Sequence, residues 1–224
     1  NECDTEWVCF LNNDIWVDTQ WLPQLLGNLS RYPAECYSSH ILNWEGKATT
    51  FGEGTVNWFG KGFEKEHLLS EDPYEIFFSC GCGMMIRRET MEQLGRLDRR
   101  FHVFRDDLDL CWRAWIAGHD VEVVPSAVGN HAASAANYLR LGQTRFIGPR
   151  YFDERNTLAS LIKNYSAPKL LLVLPLYLLV GVAKVVGFLL TRRFSDAWQT
   201  VRAWAWNLTH VRESRRYRRL VQQQ

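Results

Sequence analysis

Residues 104–125 read FRDDLDLCWRAWIAGHDVEVVP and predict one helix followed by one strand. The apolar side chains of the first half repeat at the spacing of a helix that packs one face on a core, namely Leu108, Cys111, Trp112, Trp115 and Ile116. Gly118 is placed to end that helix. The run Val121–Val124 then predicts a buried strand, which Pro125 closes.

Three aspartates crowd the start of this helix. Asp106, Asp107 and Asp109 fall within four positions, where like charges repel one another. Backbone N–H groups and the helix dipole favour negative charge at a helix N-terminus, so the cluster fits simple capping. The same carboxylates also fit a catalytic or cation-binding site. The pattern by itself leaves both interpretations open.

Polar residues also follow two other predicted strands. Asn12 and Asp14 follow the apolar run 6–11, and His131 follows the short run Ala127–Val128. In open α/β sheets, ligands bind at the carboxyl ends of strands. Carboxylates and an imidazole gathered there would suit Mg²⁺ or Mn²⁺ rather than zinc, and a remaining carboxylate would serve as a general base. Taken singly, each pattern is also typical of a turn or a structural histidine.

Taken together, these segments resemble a known enzyme family. Residues 8–14 (VCFLNND) are similar to a strand that ends in an Asp-x-Asp-like metal motif. Residues 79–113 are similar to the small-residue segment, the Arg-Arg-Glu helix and the acidic box of the same family, and residues 117–131 match its next strand and metal-proximal histidine. The order of the segments over residues 6–165 resembles family 2 glycosyltransferases that transfer rhamnose or galactofuranose in bacterial cell-wall or polysaccharide synthesis.

The resemblance implies a fold and a reaction. It implies a partial GT-A-type, Rossmann-like α/β domain with a mixed sheet over residues 1–150, followed by a helical, membrane-associated region over residues 151–224. The implied reaction is the inverting transfer of a hexosyl or deoxyhexosyl group from a nucleotide-diphosphate sugar to a hydroxyl of a glycan or lipid-linked acceptor. The family's nucleotide-binding strands would precede Asn1, so we expect an N-terminally truncated chain that binds the donor poorly.

The resemblance also implies roles for individual residues. Asp14 and His131 match the aspartate and the histidine that hold Mg²⁺ or Mn²⁺ near the donor diphosphate. Asp107 matches the general base that deprotonates the acceptor hydroxyl, and Arg155 matches an arginine for which we expect contact with the donor phosphate. The supporting residues are Asn12, where the family varies between Asn and Asp, Asp106, which replaces the usual Glu, and Asp109, which caps or braces the helix.

The last quarter of the chain has a different character. Residues 1–167 hold 23 Asp and Glu against 16 Lys and Arg, whereas residues 168–224 hold 2 against 10. Residues 170–190 are almost wholly apolar and long enough for a membrane span, although Pro175 and Lys184 interrupt them. We therefore expect residues 168–224 to bind the cytoplasmic face of the plasma membrane, as a span or at its surface. A buried helix of a larger assembly is the alternative, and a nucleic-acid partner is not expected because an apolar run leads into the basic end.

A non-catalytic protein of the same fold is the main alternative for the whole chain. Such a protein would be anchored to the membrane and would bind a glycan or a nucleotide without turnover.

Residues 43–75 are rich in Gly, Trp and charge and predict a long irregular loop, with or without a hairpin, of the kind that carries substrate contacts.

Overall fold

The computed structural model describes residues 4–132 and 148–223, which form two compact units. The first unit contains the described residues up to 132, except for two short segments. These segments, 57–61 and 100–105, belong with residues 148–223 in the second unit. The sequence predicted a single boundary at residue 150, without placing these two short segments in the second unit. That boundary stays a prediction.

A mixed β-sheet forms the centre of the first unit. The strands of this unit are β1 (Trp7–Leu11), β2 (Ile15–Val17), β3 (Cys36–Asn43), β4 (Thr49–Phe51), β5 (Glu53–Val56), β6 (Gly62–Lys65), β7 (Tyr74–Glu75), β8 (Gly83–Arg87) and β9 (Val121–His131). The sheet has the order β1-β8-β3-β9-β2, with β4 beside β3 and β7 beside β9, while β5 and β6 form a separate hairpin. Strands β3 and β9 are parallel, and the other pairs are antiparallel. The predicted α/β class with a mixed sheet is confirmed.

Helices cover both faces of this sheet. They are α1 (Trp21–Asn28), α2 (Arg88–Gln93) and α3 (Asp106–Ile116). On α1, Trp21 and Leu25 are buried in one cluster with Tyr37 and Met85 of the sheet. On α3, Cys111 accepts a hydrogen bond from the backbone N–H of Ser79. Leu108, Cys111 and Trp112 of the predicted stripe are buried. Asp109, Leu110, Arg113 and Ala114 are buried as well, so α3 is covered on more than its apolar face.

Two sequence-based expectations need correction. Pro125 does not close the last strand, because β9 continues from Val121 to His131. The pairing of β9 with β3 shifts register after Val124, and a proline fits at such a bulge because its missing N–H costs no ladder hydrogen bond there. The segment 43–75 contains the hairpin that the sequence left open, β5 with β6, and also the strands β4 and β7, so it is more regular than the predicted loop.

The described residues of the second unit are mainly helical, which confirms the predicted helical C-terminal region. Its helices are α4 (Pro149–Asn164), α5 (Ala167–Leu190), α6 (Phe194–Thr209) and α7 (Val211–Val221). Within the described part of the chain, α5 is the one helix that is long and apolar enough to cross a membrane, and only 17% of its most apolar stretch is buried. Lys184 of α5 forms an ion pair with the buried carboxylate of Glu154, which accounts for a charge in this apolar helix.

Candidate functional site

The strand register brings several polar residues to one edge of the sheet. Strand β1 ends at Leu11, which pairs with Gly83 at the start of antiparallel β8. The parallel strands β3 and β9 end together, with Asn43 paired to His131. Since β8 is also antiparallel to β3, the end of β1, the start of β8 and the ends of β3 and β9 share this edge. Ligands bind at such an edge in open α/β sheets.

The structure brings Asp14 and His131 into contact at this edge. Residues 12–14 turn the chain from β1 into β2, and Ile15 at the start of β2 pairs with His131 itself. The carboxylate oxygen Oδ1 of Asp14 lies 3.1 Å from Nε2 of His131. The side-chain amide of Asn12 lies 3.4 Å from the same nitrogen. Two residues 117 positions apart in sequence are thus adjacent because β2 and β9 pair.

The pair of Asp14 and His131 fits two ligands of one cation. Two ligand atoms that each lie about 2.1 Å from an octahedral cation are about 3.0 Å apart when their bonds to the cation form a right angle. The 3.1 Å between Asp14 Oδ1 and His131 Nε2 matches that separation, and it also fits a hydrogen bond. Among residues 4–132 and 148–223, no group of three or more His, Cys, Asp or Glu side chains converges. A cation held here would therefore complete its coordination with water or with oxygens of a bound ligand.

Asp107 lies at the same edge, in the first turn of α3. Its Oδ2 accepts a hydrogen bond from the backbone N–H of Gly81 at 3.0 Å, and its Oδ1 accepts from the N–H of Leu108 at 2.7 Å. Gly81 precedes Gly83, which pairs with the last residue of β1. Each carboxylate oxygen has two lone pairs, so Asp107 keeps capacity to accept a proton from a ligand. The carboxylate is held in place by two backbone donors.

Gly81 contacts the candidate site, and the sequence did not single it out for this role. A methyl group at this position would lie 3.3 Å from Oδ2 and 3.4 Å from Cβ of Asp107, so any larger side chain would push the carboxylate away. The neighbouring thiol of Cys80 does not compete as a nucleophile. A hydrogen bond to Cys82, together with burial, raises the pKa of Cys80 well above its usual range. The small-residue run at 80–83 was the sequence signal for this close approach.

Asp106 has a strongly perturbed acidity. Burial, followed by the charge of Asp107, raises its pKa from 3.8 to about 6. The shift means that folding favours the protonated form of Asp106 over its ionised form by about 3 kcal/mol. Because the pKa is higher in the folded state, this stability is fully present below pH 3.8 and is lost as the pH rises through about 6.

Replacing Asp106 by asparagine is therefore expected to stabilise the protein only where Asp106 is charged. We expect a gain of about 1–3 kcal/mol in the free energy of unfolding at pH 7.5 and no gain at pH 4. Urea unfolding followed by tryptophan fluorescence at both pH values checks this. Asp72→Asn, the same change on an exposed residue, is the control and should have no effect at either pH. A loss of stability in Asp106→Asn at pH 7.5 would contradict the burial argument.

Asp109 faces the interior and does not share the edge site. It is fully buried and forms an ion pair with Arg113, one helical turn later, at 3.0 Å. Arg113 also donates to the backbone carbonyl oxygen of Leu94 at the end of α2. Asp109 thus braces helix α3 against α2, and its carboxylate has a structural partner.

Arg155 lies in the second unit, on α4. It is buried, and its guanidinium contacts the rings of Tyr151, Phe152 and Trp206. It donates to the backbone carbonyl oxygen of Arg100 at 2.7 Å, while the neighbouring Asn156 donates to the carbonyl oxygens of Val103 and Phe104. The pair Arg155-Asn156 therefore fixes segment 100–105, where Phe104 and Arg105 have left-handed backbone conformations. A donor-phosphate role for Arg155 stays a prediction and would require its guanidinium to exchange partners.

Two comparisons with known proteins found similarities, and one found none. The model of the family described as "Glycosyl transferase family 2" matches residues 1–95, which include β1 and Asp14 but neither Asp107 nor His131. No curated protein matches the chain. Among solved structures, one that is similar is the crystal structure of GalNAc-T7 with UDP, GalNAc and Mn²⁺, with a TM-score of 0.45 and 16% identity. That similarity covers 69% of this chain and 34% of the GalNAc-T7 chain, so the chain spans about a third of that protein. Residues 1–95 of the chain are thus similar to glycosyl transferase family 2.

Proposed function

We propose that the chain catalyses the transfer of a sugar from a nucleotide-diphosphate sugar to a hydroxyl of a glycan or lipid-linked acceptor, with inversion at the anomeric carbon. The observation that carries the proposal is the shared sheet edge. Asp107, held by Gly81, and the pair of Asp14 and His131 lie there, in a chain whose first 95 residues match a glycosyltransferase family. The types of these residues and their placement at one sheet edge fit sugar transfer better than they fit the capping of a helix alone.

Asp107 is the proposed general base. A sugar hydroxyl is a poor nucleophile until a base accepts its proton, and a positioned carboxylate can do so. As the hydroxyl oxygen forms its bond to the anomeric carbon, the bond from that carbon to the diphosphate oxygen breaks and the proton moves to Asp107. A single displacement of this kind inverts the anomeric configuration. The backbone donors of Gly81 and Leu108 keep the carboxylate in position during the transfer.

Asp14 and His131 are the proposed ligands of Mg²⁺ or Mn²⁺. Such a cation, when bound, stabilises the negative charge that develops on the departing diphosphate. Asn12 lies beside the site, and a bound cation would displace its amide nitrogen from the ring nitrogen of His131. The ring nitrogen must be unprotonated to bind a cation.

Product analysis tests this proposal. A nucleotide-sugar incubated with Mn²⁺ and a hydroxyl acceptor should yield nucleoside diphosphate and one glycoside, whose anomeric configuration, read by ¹H NMR, is opposite to that of the donor. Retention of configuration would exclude the single displacement. Binding of a nucleotide-sugar without any turnover would favour the alternative, a non-catalytic, membrane-anchored protein that binds a glycan or nucleotide.

We also propose that residues 168–224 bind the cytoplasmic face of a plasma membrane. Large apolar side chains on α5 and α6 are more than half exposed, including Leu171, Leu179, Leu190, Phe194, Trp198 and Leu208. Helix α7 adds an exposed set of arginines, namely Arg212, Arg215, Arg216 and Arg219. Apolar side chains next to clustered arginines match the acyl region and the anionic headgroups of that surface.

Replacing Arg215 and Arg216 by glutamine is expected to weaken membrane binding. Each arginine near an anionic surface contributes about 1 kcal/mol, so partitioning into vesicles with 30% phosphatidylglycerol should fall by about tenfold to thirtyfold. Vesicle flotation measures this, and pure phosphatidylcholine vesicles should show little difference. The double variant of Arg31 and Arg96, exposed arginines of the first unit, is the control. Tighter binding to RNA than to anionic vesicles would contradict the membrane assignment.

A further inference from the structure

We infer that a pocket within the second unit binds a neutral sugar unit of the acceptor. The inference rests on the proposed glycosyl transfer, because it names part of the acceptor for that reaction. The pocket has a volume of about 180 Å³ and lies between segment 57–61 and helices α4 and α5. One water molecule needs only about 10–15 Å³, so this space is large enough for a ligand of several heavy atoms.

One wall of the pocket is the short segment that joins β5 to β6. The side-chain oxygen of Asn57 accepts hydrogen bonds from the backbone N–H groups of Phe59 and Lys61 at 3.0 and 3.1 Å. The hydroxyl of Tyr165 donates to the backbone carbonyl oxygen of Trp58 at 2.7 Å. Segment 57–61 is therefore a closed turn fixed to the helices of its own unit. It lies inside the 43–75 region that the sequence singled out for substrate contacts.

A buried hydroxyl in the pocket has no hydrogen-bond partner in the described part of the chain. Thr157 of α4 lines the pocket and is only 4% exposed. Among the described residues, its Oγ1 finds no hydrogen-bond partner. A buried hydroxyl without a partner costs free energy, so this position favours a ligand that supplies a donor or an acceptor. A sugar hydroxyl supplies both.

The charges that line the pocket are already paired. Glu154 accepts a hydrogen bond from the hydroxyl of Tyr177 at 2.7 Å and forms the ion pair with Lys184. Asp153 pairs with Arg105 at 2.7 Å and lies 4.0 Å from Lys61. The described lining residues therefore carry no net charge that would attract a phosphate or a cation. The carboxylates still offer lone pairs, which hydroxyl groups can occupy.

The remaining walls are apolar and suit the other face of a sugar ring. Phe59 and Tyr177 meet edge to face, with ring centroids 6.2 Å apart, and Val180 and Gly181 line the adjacent part of the pocket. Apolar walls with a few convergent polar groups are the usual composition of small-molecule sites. Sugar rings combine C–H faces with hydroxyl edges, so a neutral hexose matches both kinds of wall.

NMR titration of the full chain with methyl β-glucoside and methyl β-galactoside tests the inference. We expect saturable binding of at least one of them and weaker binding of methyl β-glucuronide, whose charge has no partner. Thr157→Val keeps the shape and removes one hydrogen bond, so it should raise the Kd about fivefold. Val180→Phe, which fills the pocket, should abolish binding. Thr200→Val, the same change at a buried threonine whose hydroxyl bonds to the carbonyl of Asp196, is the matched control and should leave the Kd unchanged.

The outcomes separate this inference from the proposed function. If neither neutral glycoside binds, or if Thr157→Val and Val180→Phe bind as well as the wild type, the pocket is not a sugar site. Turnover of a nucleotide-sugar by the same preparation would leave the proposed function standing. If glycosides bind with the expected dependence on Thr157 and no donor is turned over, the pocket is a sugar site and the transferase assignment fails.

Discussion

Asp107→Asn is expected to lower kcat for sugar transfer about 1000-fold, within the range that positioned general bases contribute. The amide cannot accept the proton of the acceptor hydroxyl. The exchange keeps the size of the side chain and one oxygen acceptor, so only one of the bonds to Gly81 and Leu108 is lost and α3 should keep its fold. The affinity for the nucleotide-sugar should change little, because the base acts on the acceptor. Steady-state kinetics together with donor binding measure both quantities.

Two comparisons make this result specific to the base. Asp72→Asn, at an exposed position, should retain wild-type kcat. Far-ultraviolet circular dichroism should show that Asp107→Asn is folded. If the Asp107→Asn variant kept more than about a tenth of the wild-type kcat, Asp107 would not be the base. Its carboxylate would then only cap α3.

Asp14→Asn is expected to raise the Mn²⁺ concentration for half-maximal activity by about tenfold to a hundredfold. The amide is a weaker ligand than the carboxylate, and it also changes the contact to Nε2 of His131 that now measures 3.1 Å. Activity at saturating Mn²⁺ should recover at least in part, which distinguishes a ligand from a base. Titration of activity with Mn²⁺ at fixed donor and acceptor provides the measurement.

Asp18→Asn is the matched control for the metal ligand. Asp18 is exposed, and its carboxylate accepts a hydrogen bond from the backbone N–H of Gln20 in the turn before α1. The change there should leave the Mn²⁺ dependence as in the wild type. An identical shift in both variants, or no shift in Asp14→Asn, would mean that Asp14 does not hold the cation.

The sequence predicted those parts of the site that depend on local pattern. The stripe from Leu108 to Ile116 located α3 and put Asp107 in its first turn. The apolar run before Asn12 located β1, and its end fixed where Asp14 would lie. The contact of Asp14 with His131 could be expected only from the family resemblance, because it depends on the pairing of β2 with β9.

Other features depend on contacts that no local pattern encodes. The central strand β3 was not predicted, because Ser38, Ser39 and His40 interrupt its apolar run. Both serines are fully buried, and Ser39 is tolerated there because it accepts a hydrogen bond from the indole N–H of Trp21 at 2.8 Å. The role of Gly81 follows from the position of Asp107, 26 residues later. The assignment of segments 57–61 and 100–105 to the helical unit likewise depends on tertiary packing.

Binding of Mn²⁺, observed by NMR, tests most directly whether cation ligands and base share one site. Mn²⁺ broadens the resonances of nuclei close to it, so substoichiometric Mn²⁺ added to ¹⁵N-labelled protein should selectively broaden the amide signals of Asp14 and His131. Because Gly81 lies at the same sheet edge, its signal should broaden with them. In Asp14→Asn, all three effects should need an about tenfold to hundredfold higher Mn²⁺ concentration. Broadening that spares Gly81, or that is as strong in Asp14→Asn at the same Mn²⁺ concentration, would contradict a cation held by Asp14 and His131 beside the base Asp107.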